Sequence, residues 1–158
     1  MKKQNWKIYA FWILFTELVG FLAGLLTREG TELYGLTIAK PPLSPPAVVF
    51  PIVWAILYAL MGIGAARIYL RPASRERSAC LRLYLIQLAF NFFWSIIFFN
   101  FQAFGFAFIW LVLLWALIVL MALSFRELDP PAAWLQVPYL LWVFFAGYLN
   151  FGVWLLNR

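Results

Sequence analysis

The sequence predicts an all-α integral membrane protein, a five-transmembrane-helix bundle in a single domain. Apolar residues fill 66% of its 158 positions and charged residues only 11%, against about a quarter charged in a soluble domain, whose surface needs ionic groups. Mean hydropathy is +0.89. The apolar residues run continuously instead of alternating, which fits helices and not the strands of a membrane barrel. Charged and proline-rich segments divide them into five stretches close to the roughly 20 residues with which a helix crosses the hydrocarbon core.

The first stretch, Ile8 to Leu26, follows Lys2, Lys3 and Lys7. Glu17 interrupts it and no small-x-small site closes it, so it reads as a retained span and not as a cleaved leader. The second, Val48 to Tyr69, is entered through KPPLSPPAVVFPIVW at Lys40 to Trp54. Pro41, Pro42, Pro45 and Pro46 stiffen that connection into a lid. Pro51 falls near the first helical turn, where a missing backbone donor costs least. Between Leu83 and Phe125 there is no ionised side chain, a stretch too long for one crossing. Asn100, Gln102 and Gly105 supply a short turn that splits it into Leu81 to Phe99 and Phe104 to Phe125, antiparallel neighbours. The fifth span, Ala132 to Leu156, starts sharply after Pro130 and Pro131. Pro138 frees a carbonyl within it and is expected to bend it.

Five crossings put the N-terminus and the second and fourth connections on one side. Lys2, Lys3, Lys7, Arg67, Arg71, Arg75, Arg77, Arg82 and Arg126 lie there, nine basic residues against three, Arg28, Lys40 and Arg158, on the other. That excess sets the N-terminus inside and the C-terminus outside. The net charge of +6 therefore reads as orientation and headgroup attraction, with no nucleic-acid partner. The Arg-rich segment Leu70 to Cys80 is chiefly a topological signal, with anionic lipid binding as its alternative use. Small residues at helical spacing, Gly20 and Gly24 in the first span and Ala55, Ala59, Gly62 and Ala66 in the second, permit close helix approach, either within the monomer or across a homodimer seam.

Catalytic chemistry has little to work with. The chain has no histidine and one cysteine, Cys80, so an internal disulfide, a cysteine metal cluster and axial-His haem ligation fall away. No cofactor or metal is expected. Glu17 is the lone carboxylate inside a span, where an ionised one costs at least about 2.5 kcal/mol on insertion scales; it is protonated, paired or turned to a polar cavity, in a structural bond or in a proton relay. Gln87, Asn91, Trp94, Ser95 and Phe98 recur at three or four residues along one face of the third span, where the amides either bond across the bundle or meet a ligand. Tyr139, Trp142 and Ala146 repeat that spacing in the fifth. Trp6, Trp134 and Trp154 suit interfacial anchoring. Trp54 and Trp142 lie deeper and are first choices for ring-on-ring ligand contact.

Three blocks, KPPLSPPAVVFPIVWAILYALMG at Lys40 to Gly62, QLAFNFFWSIIFF at Gln87 to Phe99 and VPYLLWVFFAGYLNFGVW at Val137 to Trp154, resemble in content and order the motifs of the TspO/MBR family of tryptophan-rich sensory and translocator proteins. The resemblance implies a compact, commonly dimeric membrane bundle whose members bind porphyrins and other hydrophobic ligands, cholesterol in some. It implies a pocket made by Tyr34, Pro45 and Pro46 in the lid, by Trp54, by Gln87, Phe90, Asn91 and Trp94, and by Tyr139, Trp142 and Ala146. The implied function is a membrane receptor or sensor for porphyrins or related hydrophobic ligands, with tetrapyrrole transport as a further role, and the expected location is a bacterial cell membrane. Two alternatives stand: a porphyrin-degrading photochemical enzyme with Trp54 and Trp142 as catalytic residues, and a structural or regulatory lipid-binding protein. Lys40 and Arg28 either meet ligand propionates or only solvate the loop. The chain departs from the family pattern at Leu33, where a tryptophan usually precedes Tyr34, in one extra residue between Tyr34 and Lys40, and at Leu43, where an aromatic is common. A differently shaped lid is expected.

Overall fold

Hydropathy sets where the helices run, and local polar chemistry sets where they stop. A computed structural model describes residues 3–158, in which seven helices and no strand are found. α1 (Asn5–Leu26) and α2 (Arg28–Thr37) meet at Thr27, whose hydroxyl donates back to the Ala23 carbonyl at 2.7 Å. α3 (Val49–Tyr69) and α4 (Arg75–Ser95) follow, and α4 runs on as a π turn over Ile96–Asn100. α5 (Phe104–Leu128), α6 (Pro130–Trp134) and α7 (Val137–Leu156) complete the chain. Among the described residues, five helical segments are long and apolar enough to cross a membrane, the fifth formed by α6 and α7 together.

Three features differ from what hydropathy predicts. The first connection is not lid alone, because α2 occupies Arg28–Thr37 before the prolines begin. Lys40 closes that helix, its Nζ donating to the carbonyls of Tyr34 at 3.1 Å and Ile38 at 3.0 Å, as a cation at a helix C-terminus should. Second, α4 starts at Arg75, well before Leu81. Its cap is Ser74, whose hydroxyl accepts the Arg77 N–H at 3.0 Å, and Glu76 sits in the first turn, where it complements the helix dipole. Third, the fifth span is interrupted and not merely bent at Pro138. That proline lies in the first turn of α7, and the break comes just before it, at Leu135 and Gln136.

α1 lies along α3, and α5 sits between α4 and α7. Small residues make the first pairing possible. A Cβ added at Gly62 would come 2.6 Å from the Ile13 Cα, and one at Gly20 would fall inside the Tyr58 ring, while Ala65 and Ala66 are fully buried. Gly20, Gly62 and Ala66 are therefore spent on packing within the monomer, whereas Gly24 faces open space and Ala55 is exposed. The outside is apolar: Phe11, Leu14, Leu18 and Phe21 of α1 are all more than half exposed. Amides and hydroxyls lie inside, the distribution that a hydrocarbon solvent selects.

One buried acid ties the Arg-rich end together. Asp129 is 1% exposed, accepts from Arg67 Nε at 2.6 Å and Nη2 at 3.3 Å, and also pairs with Arg71. The same carboxylate accepts the Ala132 N–H at 3.2 Å, capping α6, where Pro130 and Pro131 occupy first-turn positions. Thus the end of α3 is fastened to the joint between α5 and α6.

Candidate functional site

Helical spacing brings polar side chains from three helices to one level. α3 contributes Trp54 and Tyr58, four residues apart. α4 contributes Gln87, Asn91 and Trp94, and α7 contributes Tyr139, Trp142, Ala146 and Asn150. In a bilayer a buried polar group has no water to turn to, so these groups satisfy one another. The Tyr58 hydroxyl donates to Asn91 Oδ1 at 2.9 Å, Asn91 Nδ2 donates to the Tyr139 oxygen at 2.8 Å, and the Tyr139 hydroxyl donates to Gln87 Oε1 at 2.7 Å. All four residues are buried. The chain of bonds ends with a loose donor: Gln87 Nε2 is buried and has no partner.

Aromatic rings roof this chain. Trp54 is stacked on Tyr58 with centroids 5.4 Å apart and stands edge-on to Tyr139 at 6.2 Å. Trp142 is half-buried and packs edge-to-face on Phe50 at 5.9 Å. Trp94 is locked more firmly. Its indole N–H donates to Asn150 Oδ1 at 3.0 Å, Asn150 Nδ2 donates to the Phe104 carbonyl at 2.8 Å, and the Trp94 ring stacks on Phe98 at 5.1 Å. Tyr34 of α2 reaches the same cluster through Phe98 at 5.5 Å, and burial pushes its phenol pKa up. Phe90 turns elsewhere, stacking on Trp110 of α5 at 4.3 Å.

The proline segment is strapped to α7. Asn157 pairs with the Ala39 backbone in both directions, accepting its N–H at 3.0 Å and donating to its carbonyl at 2.8 Å. The Tyr148 hydroxyl donates to the Pro42 carbonyl at 2.8 Å. Pro41 is buried against Gly152, where a Cβ would come within 2.6 Å of the proline ring. Leu43 takes the left-handed region at φ 70°, unusual for a leucine, and Ser44 closes the turn by donating to the Pro41 carbonyl at 2.7 Å. Pro45 is half-buried and Pro46 exposed. Lys40 spends its ammonium on α2, and Arg28 lies 3.9 Å from Glu32 with both side chains well exposed.

Of the residues expected from the sequence, Gln87, Asn91 and Tyr139 therefore share one bonded cluster, with Trp54 packed on it by its ring. Trp94 and Tyr34 form an adjoining one, Trp142 stands at the rim with Phe50, Ala146 is buried on the α7 face, and Phe90 faces α5. Tyr58 is the member that sequence reasoning missed. It lies four residues after Trp54, so the spacing test that found the face of the third span would have found it in the second. Nothing in the sequence marks Asn157 as a strap. A separate cavity of about 650 Å³ lies between the end of α1, α2 and the π turn; none of these residues lines it, but its wall residue Phe99 packs edge-on to Tyr34 and Trp94. Among the described residues no three His, Cys, Asp or Glu side chains converge as a metal site.

A model of the TspO/MBR family matches residues 12–155. The chain belongs to the TspO/MBR family. It is 40% identical over 140 residues to the tryptophan-rich protein TspO of Chlorobaculum tepidum, covering 88% of this chain and 89% of that one. It is 38% identical to the translocator protein of Bos taurus, over 92% of this chain and 87% of the relative. The TspO protein of the archaeon Archaeoglobus fulgidus is 30% identical over 92% of this chain and 94% of its own. Membership of the TspO/MBR family, with five apolar helices, makes this an integral membrane protein of the sensor and receptor class.

Proposed function

We propose that the protein is a membrane receptor for a tetrapyrrole, a flat hydrophobic ligand with polar groups on its rim. The ligand lies beneath the Pro41–Pro46 strap, against Trp54 and Trp142, with Tyr34, Pro45 and Pro46 above it. Gln87, Asn91 and Tyr139 meet its polar edge, Trp94 frames the α4 wall, and Ala146 keeps the α7 face thin, while Phe90, turned to Trp110, lies outside the pocket. The observation that carries this proposal is the unpartnered Gln87 Nε2 at the end of a buried amide and phenol chain roofed by aromatic rings. A buried donor without an acceptor costs about 1–3 kcal/mol, and an acceptor on the ligand recovers that cost only when the ligand is bound. Aromatic walls supply stacking that does not depend on the ligand's substituents. The names of the relatives, sensory and translocator proteins, support a sensing role, with carriage of the same ligand as its extension.

The test is a titration of protoporphyrin IX into the protein in lipid nanodiscs, read by tryptophan fluorescence. Saturable quenching is expected, weakened about tenfold by Gln87→Met through loss of the donor and also reduced by Trp54→Phe. No saturable quenching in either neutral or anionic discs overturns the proposal. Run under light, the same samples separate receptor from enzyme: product formation lost in Trp54→Phe or Trp142→Phe at unchanged affinity assigns those rings a chemical role.

The same proposal includes a bacterial cell membrane as the location, the N-terminus inside, and a homodimer. The orientation is supported by the gathering of Tyr9, Arg67, Arg71 and Asp129 at one end of the bundle. The dimer is supported by the open face at Gly24, where a second helix meets no obstructing side chain.

A further inference from the structure

At the other end of α3 from Trp54, the Arg-rich end of the bundle carries a concavity of about 230 Å³ lined by Tyr9, Arg67, Leu70, Arg71 and Asp129. Its charges do not balance. Asp129 is buried and its two oxygens are already occupied by Arg67, Arg71 and the Ala132 N–H. The two arginine side chains remain 35% and 45% exposed. A guanidinium carries five N–H donors, so the bonds to Asp129 leave most of both forks unspent, and one carboxylate neutralises only one of the two cations. Arg77 brings a third positive charge beside them, its Nη1 donating to the carbonyls of Tyr69 at 2.9 Å and Arg71 at 3.0 Å. Tyr9 adds a phenol and Leu70 an aliphatic wall.

Two planar forks held in place by a buried carboxylate are a preorganised receptor for an oxyanion. Ordering costs are already met in the fold, and paired N–H donors match an anion with several oxygens around one centre. The concavity also lies at the ends of two apolar helices, the last turn of α3 and the first turns of α1, and basic clusters flanking membrane spans attract anionic headgroups. We propose that this concavity is a binding site for a phosphate-type oxyanion, held by Arg67 and Arg71 with Tyr9 donating from α1. The phosphate is either the headgroup phosphodiester of an anionic lipid or a free phosphate from solution.

The experiment uses the full chain in phosphatidylcholine nanodiscs, in two arms. Inorganic phosphate is titrated into solution in one, phosphatidylglycerol is built into the disc in the other, and both are followed by melting temperature, with native mass spectrometry counting retained lipid. A saturable rise with one phosphatidylglycerol per protomer names the lipid as the source, and a saturable rise with inorganic phosphate alone names the free anion. Arg71→Gln is expected to weaken binding about tenfold through loss of charge-assisted bonds, and Arg75→Gln, outside the concavity, to leave it unchanged. Leu70→Trp fills the space at constant charge and is expected to abolish the response. Leu70 is only half-buried, so this variant remains usable if Arg71→Gln does not fold. No saturation in either arm, or wild-type binding by Leu70→Trp, overturns the proposal.

Discussion

At the scale of single residues, the polar groups of this protein divide into those whose bonds are complete and those left one short. Asn91 engages both its oxygen and its nitrogen, through Tyr58 and Tyr139, whereas Gln87 satisfies its oxygen and strands its nitrogen. Asp129 is the saturated extreme, and its titration gives a test. Burial raises its pKa, but hydrogen bonds from Arg67 and Arg71, with their charges, outweigh burial and hold the carboxyl below its ordinary value of 3.8. A depressed pKa means that the pairing contributes in full above the ordinary carboxylate range and is lost as pH falls through that range and then through the lower folded value. Melting temperatures in detergent should therefore drop on acidification below about pH 4. Asp129→Asn should cost about 2 kcal/mol at neutral pH, its partly exposed partners moderating a buried-pair loss, and should flatten the acid limb. A variant that melts like wild type at pH 7 and keeps the acid limb would remove Asp129 from the account.

Among the elements, the seam between α1 and α3 depends on a missing side chain. Gly62→Ala places a methyl against α1 backbone that cannot rotate away, and overpacking of this kind costs roughly 1–3 kcal/mol. Gly35→Ala on α2, which meets nothing within 4 Å and gains only helix propensity, should not lower the melting temperature. Equal losses in the two variants would show that the seam is not the cause. The spans themselves were legible because charge gaps and hydropathy respond to the bilayer, which acts on every residue alike. The ends of the helices were less so. α4 begins at Ser74 through a cap, and α2 forms in a polar stretch closed by Lys40; both depend on one side chain reaching one backbone group, which no average over a window records. Pro138 marked the interruption of the fifth span but not its exact place, since a proline in a first turn and one in mid-helix look alike until the boundary is known. In the candidate site, Gln87, Asn91 and Tyr139 could be grouped from their spacing, while the turn of Phe90 toward Trp110 follows from how α5 packs.

For the whole molecule, an excess of basic residues in the sequence on one side of the crossings and an apolar outer surface make the proposed sense of the bundle in the bilayer testable. With the N-terminus inside, as proposed, a membrane-impermeant maleimide applied to intact cells should label Arg158→Cys and spare Lys3→Cys, the buried Cys80 giving little background. The reverse pattern would invert the topology. The five long apolar helices were readable from the sequence because they depend on composition over a window, but the tie between the proline strap and α7 was not, since it joins Ala39 to Asn157 across nearly the whole chain. That tie makes the last turn of the polypeptide a mechanical terminal. Whatever lifts the proline strap must part Ala39 from Asn157 as well as Pro42 from Tyr148, so a small fluorophore on the neighbouring Arg158 would act as a strain gauge for movement of the strap.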